Sequence, residues 1–301
     1  MNKLRFIGGV LIIIMIMSYG VAWIFSEYTT ETTDKIAVIP IKGEITLEES
    51  TSFLGSSQAV AEEITEQITK ANNDPHVKAI LLDINSPGGT VVASQEIAEK
   101  VKQANKPTVA VIREVGASGG YWIASAADTI IASPMSITGS IGVLGSYIEL
   151  SGLFEKYGIE YQRFTGGRYK DLGTPLKEPT EQERVIFQKK IDAIHEFFIH
   201  EVAKNRNLDI EYVRGIATGE FYLGQEALEL HLIDFLGDKE EAMNYIKKII
   251  NQDEIAIVEY RRERGFLDFF TKISLSSSYY IGKGIGDSLK QAHVQAFIPE
   301  A

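Results

Sequence analysis

Two hydrophobic patterns run along this chain, and they need different surroundings. Residues 6–25 read FIGGVLIIIMIMSYGVAWIF, sixteen apolar residues in twenty with no charge. At about 1.5 Å per helical residue, such a run is about 30 Å long, the thickness of a bilayer's hydrocarbon core. Lys3 and Arg5 precede it, and Glu27, Glu31 and Asp34 follow. The basic flank predicts that residues 1–5 stay in the cytoplasm and that the remainder is exported. Trp23 and Tyr28 stand where an interfacial aromatic belt would lie. A cleaved signal peptide is the competing reading, with small residues at Gly20-Val21-Ala22. The apolar run continues through Trp23, Ile24 and Phe25, however, and outlasts a usual signal core. The expectation is an uncleaved single-pass anchor at 6–25.

After a polar linker at 26–34, the apolar stretches become short and regularly interrupted. The run KIAVIPIKGEI at 35–45 predicts a strand. Val60, Ile64, Ile68 and Ala71 recur at helical spacing, stopped by Asn72-Asn73-Asp74-Pro75. VKAILLDI at 77–84 is nearly all apolar, as a strand buried on both faces should be. It ends in Asn85-Ser86-Pro87-Gly88-Gly89, and a helical stretch follows to Gln103. The cycle repeats with a strand at 108–112, a turn at Gly116-Ala117-Ser118-Gly119-Gly120 and a helix to Ala127. A third strand at 129–133 leads to Thr138-Gly139-Ser140-Ile141-Gly142. Strand, glycine turn and helix recurring at roughly 30-residue spacing predict parallel strands joined by crossovers, an α/β fold. The clearest helix is 180–204, where Thr180 and Glu183 form a capping-box pattern before the stripe Phe187, Ile191, Ile194, Phe198, Val202. One domain is expected over 35–250. Residues 251–301 form a C-terminal extension, with strand-like IAIVEY, basic Arg261-Arg262-Glu263-Arg264 and aromatic 266–270, expected to pack on the core or a neighbouring subunit.

Composition narrows the function. The 301 residues carry 30 basic against 41 acidic side chains, a net charge of −11, and no cysteine. Without cysteine there is no thiolate nucleophile, zinc ribbon or iron–sulfur cluster. The acidic balance argues against nucleic acid as a partner. Subtracting Lys3 and Arg5 leaves 28 − 41 = −13 on the exported part, so adhesion to anionic lipid is not expected and the anchor alone must hold it.

Histidine offers a serine little help. His76, His195, His200, His231 and His293 all lie outside the glycine-rich region, and each is read as a surface or helix-packing residue. No cluster suggests a metal, and no cofactor is expected. The glycine turns are the stronger lead. Gly88-Gly89 and Gly119-Gly120 each follow a buried strand and open a helix, where backbone N–H groups lack partners. Two such groups aimed at one oxygen make an oxyanion hole. Ser118 stands beside one turn, either as a nucleophile or simply as its helix's cap. A base would have to be a lysine, and Lys156, Lys170, Lys177, Lys189 and Lys190 lie between Ser118 and His195. Spacing does not choose among them.

The motifs together do. Asn85-Ser86-Pro87-Gly88-Gly89, ASGGYWIASAAD at 117–128, TGSIGV at 138–143, GGRYKD at 166–171 and GEFYLGQEALELHLID at 219–234 resemble the signal peptide peptidase (SppA) family, S49, in its short single-repeat form. The likeness covers residues 35–237 and the anchor. One departure is His231, where the family usually has glycine. The resemblance implies a ClpP/crotonase-like fold of repeated β-β-α units and a serine endopeptidase. Carried over by motif, Ser118 is the nucleophile, Lys170 the general base and Ser140 the residue that orients Lys170, while the N–H groups of Gly89 and Gly119 form the oxyanion hole. It also implies a homo-oligomeric ring in which Lys170 comes from the neighbouring protomer, and apolar peptides, cleaved signal peptides among them, as substrates. The rival expectations are an NfeD-like, stomatin-associated membrane serine protease and a non-catalytic peptide-binding scaffold on the same fold.

Overall fold

Apolar strands need cover on both faces, and the chain provides it by alternating them with helices. The computed structural model describes residues 3–28, 33–48 and 58–260, with side chains in the first stretch described only at 8–20. Helix α1 (Lys3–Tyr28) forms over the N-terminal apolar run. Among the described residues, no helix is long and apolar enough to cross a membrane, so the described part of α1 does not by itself support the expected anchor. The side chains of Trp23 and Tyr28, the linker residues 29–32, and Arg261-Arg262-Glu263-Arg264 with 266–270 lie outside what is described.

The rest begins with β1 (Lys35–Lys42), β2 (Glu44–Thr46), β3 (Gln58–Val60), α2 (Ala61–Asn73), β4 (Val77–Ser86) and α3 (Val91–Lys102). Then come β5 (Thr108–Ala117), α4 (Gly119–Ser125), β6 (Thr129–Ala132), β7 (Ile137–Gly139), α5 (Ser151–Lys156) and α6 (Glu181–Arg206). The last elements are α7 (Ile210–Ile216), β8 (Phe221–Leu223), α8 (Gly224–Glu229), β9 (Phe235–Leu236), α9 (Lys239–Ile250) and β10 (Ala256–Glu259). The main sheet has the order β10-β1-β4-β5-β6-β9, every pair parallel. β7 extends it beside the end of β5, and β8 runs antiparallel to β7. This mixed α/β architecture with a parallel-rich sheet is the expected class, and it fits a ClpP-like arrangement. Alternation sends Ile39, Ile41, Ile80, Leu82, Ile84 and Ala110 to a core shared with α2, α3, α4 and the end of α6. Ile36, Val38, Leu81, Val109 and Val111 face α9 through Ala242, Met243 and Ile246.

Several boundaries differ from expectation for local reasons. The strand expected at 35–45 breaks at Gly43, whose φ of +82° turns the chain between β1 and β2. β5 runs past Ile112 to Ala117 because its second half gains a new partner, β7. α4 stops at Ser125 rather than Ala127. Residues 256–259, in the strand-like stretch assigned above to the extension, form β10 against β1 and so join the main sheet. His231 adopts φ +58°, a left-handed conformation that favours glycine and that histidine tolerates better than most residues.

The capping box of α6 forms as expected, with Glu183 N–H donating to Thr180 Oγ1 (3.3 Å) and Thr180 N–H to Glu183 Oε2 (2.9 Å). Only the end of its stripe is deeply packed: Phe198 and Val202 are buried, whereas Phe187, Ile191 and Ile194 are half-buried. The preceding segment is unlike the rest of the fold. None of residues 142–180 is buried, and Leu144, Ile148 and Phe164 are exposed.

Candidate active site

The two glycine turns converge because their strands are neighbours. β4 and β5 pair with Ser86 opposite Gly116, so the residues past both strand ends lie side by side. The ladder slips between Ile84 and Ser86, and there Asn85 Oδ1 accepts a hydrogen bond from Val115 N–H (3.0 Å). Ser86 Oγ accepts from Gly88 N–H (3.1 Å) and folds the turn back. At Gly88, φ is +104°, and a Cβ would come within 2.8 Å of Gly119 N and 2.9 Å of Ser118 Cβ. One on Gly89 would meet Ile45 O at 2.0 Å, and one on Gly119 would meet Ser94 Oγ at 2.2 Å and Gly89 N at 3.4 Å. Gly88, Gly89, Ser118 and Gly119 therefore form one cluster with no room for side chains on the glycines. Ile45 N–H donates to Gly88 O and Thr90 N–H to Ile45 O, both at 2.9 Å. In such a parallel bridge the middle residue's own N–H points to the other side. Among the described residues, the N–H groups of Gly89 and Gly119 have no backbone acceptor.

Ser118 joins β5 to α4 with φ 51° and ψ −122°. That conformation costs a residue with a Cβ on the order of 1–3 kcal/mol and persists only where the surroundings enforce it. Here Ser118 N–H donates to Gly139 O (2.8 Å), and Trp122 N–H donates to Ser118 O (2.9 Å). Behind it, Trp122 stacks on Phe198 with centroids 4.8 Å apart, and the buried Tyr121 hydroxyl donates to Leu232 O (2.8 Å). Although Ser118 holds the cap position, its side chain makes no capping hydrogen bond. Of the two readings open in the sequence, nucleophile or cap, the cap is not formed.

Ser140 follows β7 as Ser118 follows β5, one residue beyond the pair Ala117–Gly139. Its φ is 49°, its N–H donates to Glu220 O (2.9 Å) and its Oγ donates to Gly219 O (3.2 Å). Lys170 lies in a turn of the exposed segment 161–170, and no hydrogen bond or ion pair among the described residues links its amine to Ser118 or Ser140. One chain thus brings together four of the five predicted residues, with no hydrogen bond from them to Lys170 among the described residues.

Two contacts here were not legible in the sequence. Ser94 Oγ donates to Thr90 O (2.9 Å) and backs Gly119, with nothing in its spacing to mark it. His195 places Nε2 3.2 Å from Ile141 O, one residue past Ser140, across 54 positions of sequence. Among the described residues, no group of three or more His, Asp or Glu is placed to hold a metal ion.

An uncapped serine hydroxyl on an enforced turn, flanked by backbone donors at the end of a parallel sheet, is the arrangement of an acyl-transfer hydrolase. Residues 100–253 match peptidase family S49, and residues 35–149 match the N-terminal domain of NfeD1b. A Methanocaldococcus jannaschii protein named as a protease is 37% identical over 218 residues, 72% of this chain and 68% of that one. An Enterococcus faecium protein named as a signal peptide peptidase SppA is 33% identical over 247 residues, 79% of this chain and 72% of that one. The chloroplastic serine protease SPPA of Arabidopsis thaliana is 30% identical over 235 residues, 76% of this chain and 35% of that one. The chain belongs to peptidase family S49 and is a serine peptidase.

Proposed function

We propose that this peptidase uses a Ser118–Lys170 dyad, completed between copies of the chain, to cleave apolar peptides at the outer face of a membrane. The observation that carries the reading is the Ser118 turn: strained, uncapped and beside the N–H groups of Gly89 and Gly119. Lysine accepts a proton only when uncharged, and burial is what makes it so. Lys170 is exposed in one chain. A second copy that covers the apolar surface of Leu144, Ile148 and Phe164 would supply that burial and present Lys170 to a neighbouring Ser118, in a ring.

In the reaction, neutral Lys170 takes the Ser118 hydroxyl proton as Oγ attacks the peptide carbonyl carbon. Gly89 and Gly119 donate to the oxyanion, and Ser140 orients the amine. The Lys170 ammonium returns its proton to the leaving nitrogen, and the C–N bond breaks. Water, deprotonated by Lys170, then hydrolyses the acyl-enzyme and restores Ser118. Substrate binds as an added strand along the groove. The apolar run at 6–25 supports anchoring, with the N-terminus in the cytoplasm and the catalytic domain outside. That location, with a relative named as a signal peptide peptidase, favours membrane-released signal peptides as substrates.

Mixing tests the reading. Ser118→Ala and Lys170→Ala proteins are each expected to be inactive on an apolar peptide, and mixed assemblies to regain part of the rate. Wild-type turnover by either single variant sinks the dyad, and a proven mixture that stays dead sinks the sharing between copies. Failure of a fluorophosphonate to label Ser118 in the assembled protein would favour the non-catalytic scaffold. The rate is expected to rise toward alkaline pH, and a flat profile from about pH 5 to 9 with chemistry limiting would count against a lysine base. The match of residues 35–149 to the NfeD1b N-terminal domain favours one second reading, a membrane serine protease acting with a stomatin-like partner. Co-purification of such a partner with the anchored protein would support it.

A further inference from the structure

We propose that Arg163 and Asp171 are positioning residues for Lys170, an inference that rests on Lys170 being the base of the dyad. All of residues 161–170 are exposed, so apolar packing does not set the course of this loop. Charged hydrogen bonds do. Arg163 donates from Nε to Asp171 Oδ2 (2.5 Å) and from Nη2 to Asp171 Oδ1 (2.8 Å), a two-pronged pair that fixes orientation as well as distance. The same Nη2 donates to Arg168 O (3.1 Å), closing the loop across its tip. The Asp171 carboxylate, its side chain 9% exposed, also lies 3.8 Å from Lys177 Nζ, which donates to Glu183 Oε1 at 2.6 Å. Glu183 in turn accepts from Thr180 at the start of α6. A continuous line of charge therefore ties the first turn of a 26-residue helix to the residue next to Lys170.

Adjacent residues share a rigid peptide plane, so fixing Asp171 restricts where the Lys170 backbone can go. Local turns tighten the same point: Lys170 N–H donates to Gly167 O (3.3 Å), Leu172 N–H to Tyr169 O (3.2 Å) and Thr174 N–H to Asp171 O (3.1 Å). The Arg163 guanidinium holds the Asp171 carboxyl below the usual carboxylate range, as expected for a pair formed in the ionised state. A loop fixed in advance does not have to be ordered in the transition state.

The test compares Asp171→Asn, Arg163→Ala, Arg163→Lys and the exchange Arg163→Asp with Asp171→Arg against Lys170→Ala, all in the full assembled protein. Turnover of an apolar peptide gives kcat and KM, and light scattering gives the assembled mass. Asp171→Asn and Arg163→Ala are expected to lower kcat about ten- to hundredfold while KM stays within about twofold. Arg163→Lys, which keeps the charge but loses the fork, should fall between them and wild type. The exchange should recover part of the loss. Wild-type turnover by Lys170→Ala overturns the underlying dyad. A dead Lys170→Ala with wild-type kcat in the pair variants overturns the positioning role alone. Loss of assembled mass in the pair variants would place the pair in a subunit contact, and loss without recovery in the exchange would assign the effect elsewhere; both overturn the proposal.

Discussion

Gly119, Gly120, Tyr121 and Trp122, the four residues after Ser118, are all buried, and β4, β5, α3 and the end of α6 pack around them. Lys170 lies in a stretch, residues 142–180, that contributes nothing to the buried core and is held by Arg163, Asp171, Lys177 and Glu183 instead. The first region stores its geometry in close packing, which resists small displacements cooperatively. The second stores it in a few charge pairs whose carboxylates, Asp171 and Glu183, are largely covered while the Arg163 and Lys177 cations still reach water and salt. On the proposed dyad, the nucleophile is aimed within one chain before substrate arrives, and the lysine base waits for another surface to cover it.

Glycine substitutions should separate the two regions most sharply. Gly119→Ala would drive a Cβ against Ser94 Oγ at 2.2 Å and displace the backbone N–H beside Ser118. On the proposed oxyanion role of the Gly119 N–H, turnover should fall by about two to three orders of magnitude. Gly166→Ala, four residues before Lys170, meets nothing within 4 Å and should leave rate and melting temperature unchanged. Equal tolerance at both positions would break the distinction. Large-to-small changes come next. Trp122→Ala, which removes the ring stacked on Phe198, should cost about 3–5 kcal/mol in denaturant unfolding. Phe164→Ser, at a side chain 92% exposed, should shift unfolding of the chain by no more than about 0.5 kcal/mol. Its effect should appear as weaker assembly by light scattering. A Phe164→Ser protein that assembles like wild type removes that residue from the contact.

The same divide explains what the sequence could reveal. Buried strands and glycine turns carry strong local signals, so β4, β5 and the Ser118 turn were legible from apolar runs and breakers alone. The α6 cap was equally plain, because Thr180 and Glu183 speak to each other within one turn. Choosing Lys170 among five lysines needed a motif, since an exposed charge leaves no periodicity behind. The approach of His195 to Ile141, and of Ser94 to Gly119, depends on how elements cross in space, which spacing along one chain does not encode. The strand β10 was legible in IAIVEY, but not its partner, because β1 lies more than two hundred residues earlier. Gly43 was visible as a residue but not as a break, because the surrounding pattern stays β-branched on both sides.

Extremes of pH should pull the two regions apart, with the smallest effects but the clearest signs. Hydrogen bonds from Arg163 lower the carboxyl of Asp171, and the Lys177 amine lowers that of Glu183. A lowered folded pKa means these pairs stabilise the loop fully above the unfolded carboxylate range, about pH 4, and lose that contribution as pH falls through the folded value. Tyr121 has the opposite sign. Burial raises its hydroxyl, so the neutral, hydrogen-bonded form contributes below the unfolded value near pH 10, and the contribution is lost as pH climbs beyond it. Hydrogen exchange on the assembled protein should therefore show amides of residues 161–177 losing protection first on acidification, while β4 and β5 hold. On strong alkalinisation, α4 should loosen before the Arg163–Asp171 pair does. If acid opens the strands and the loop together, the loop is not an independently held unit, and the contrast between a packed nucleophile and a charge-held base loses its physical footing.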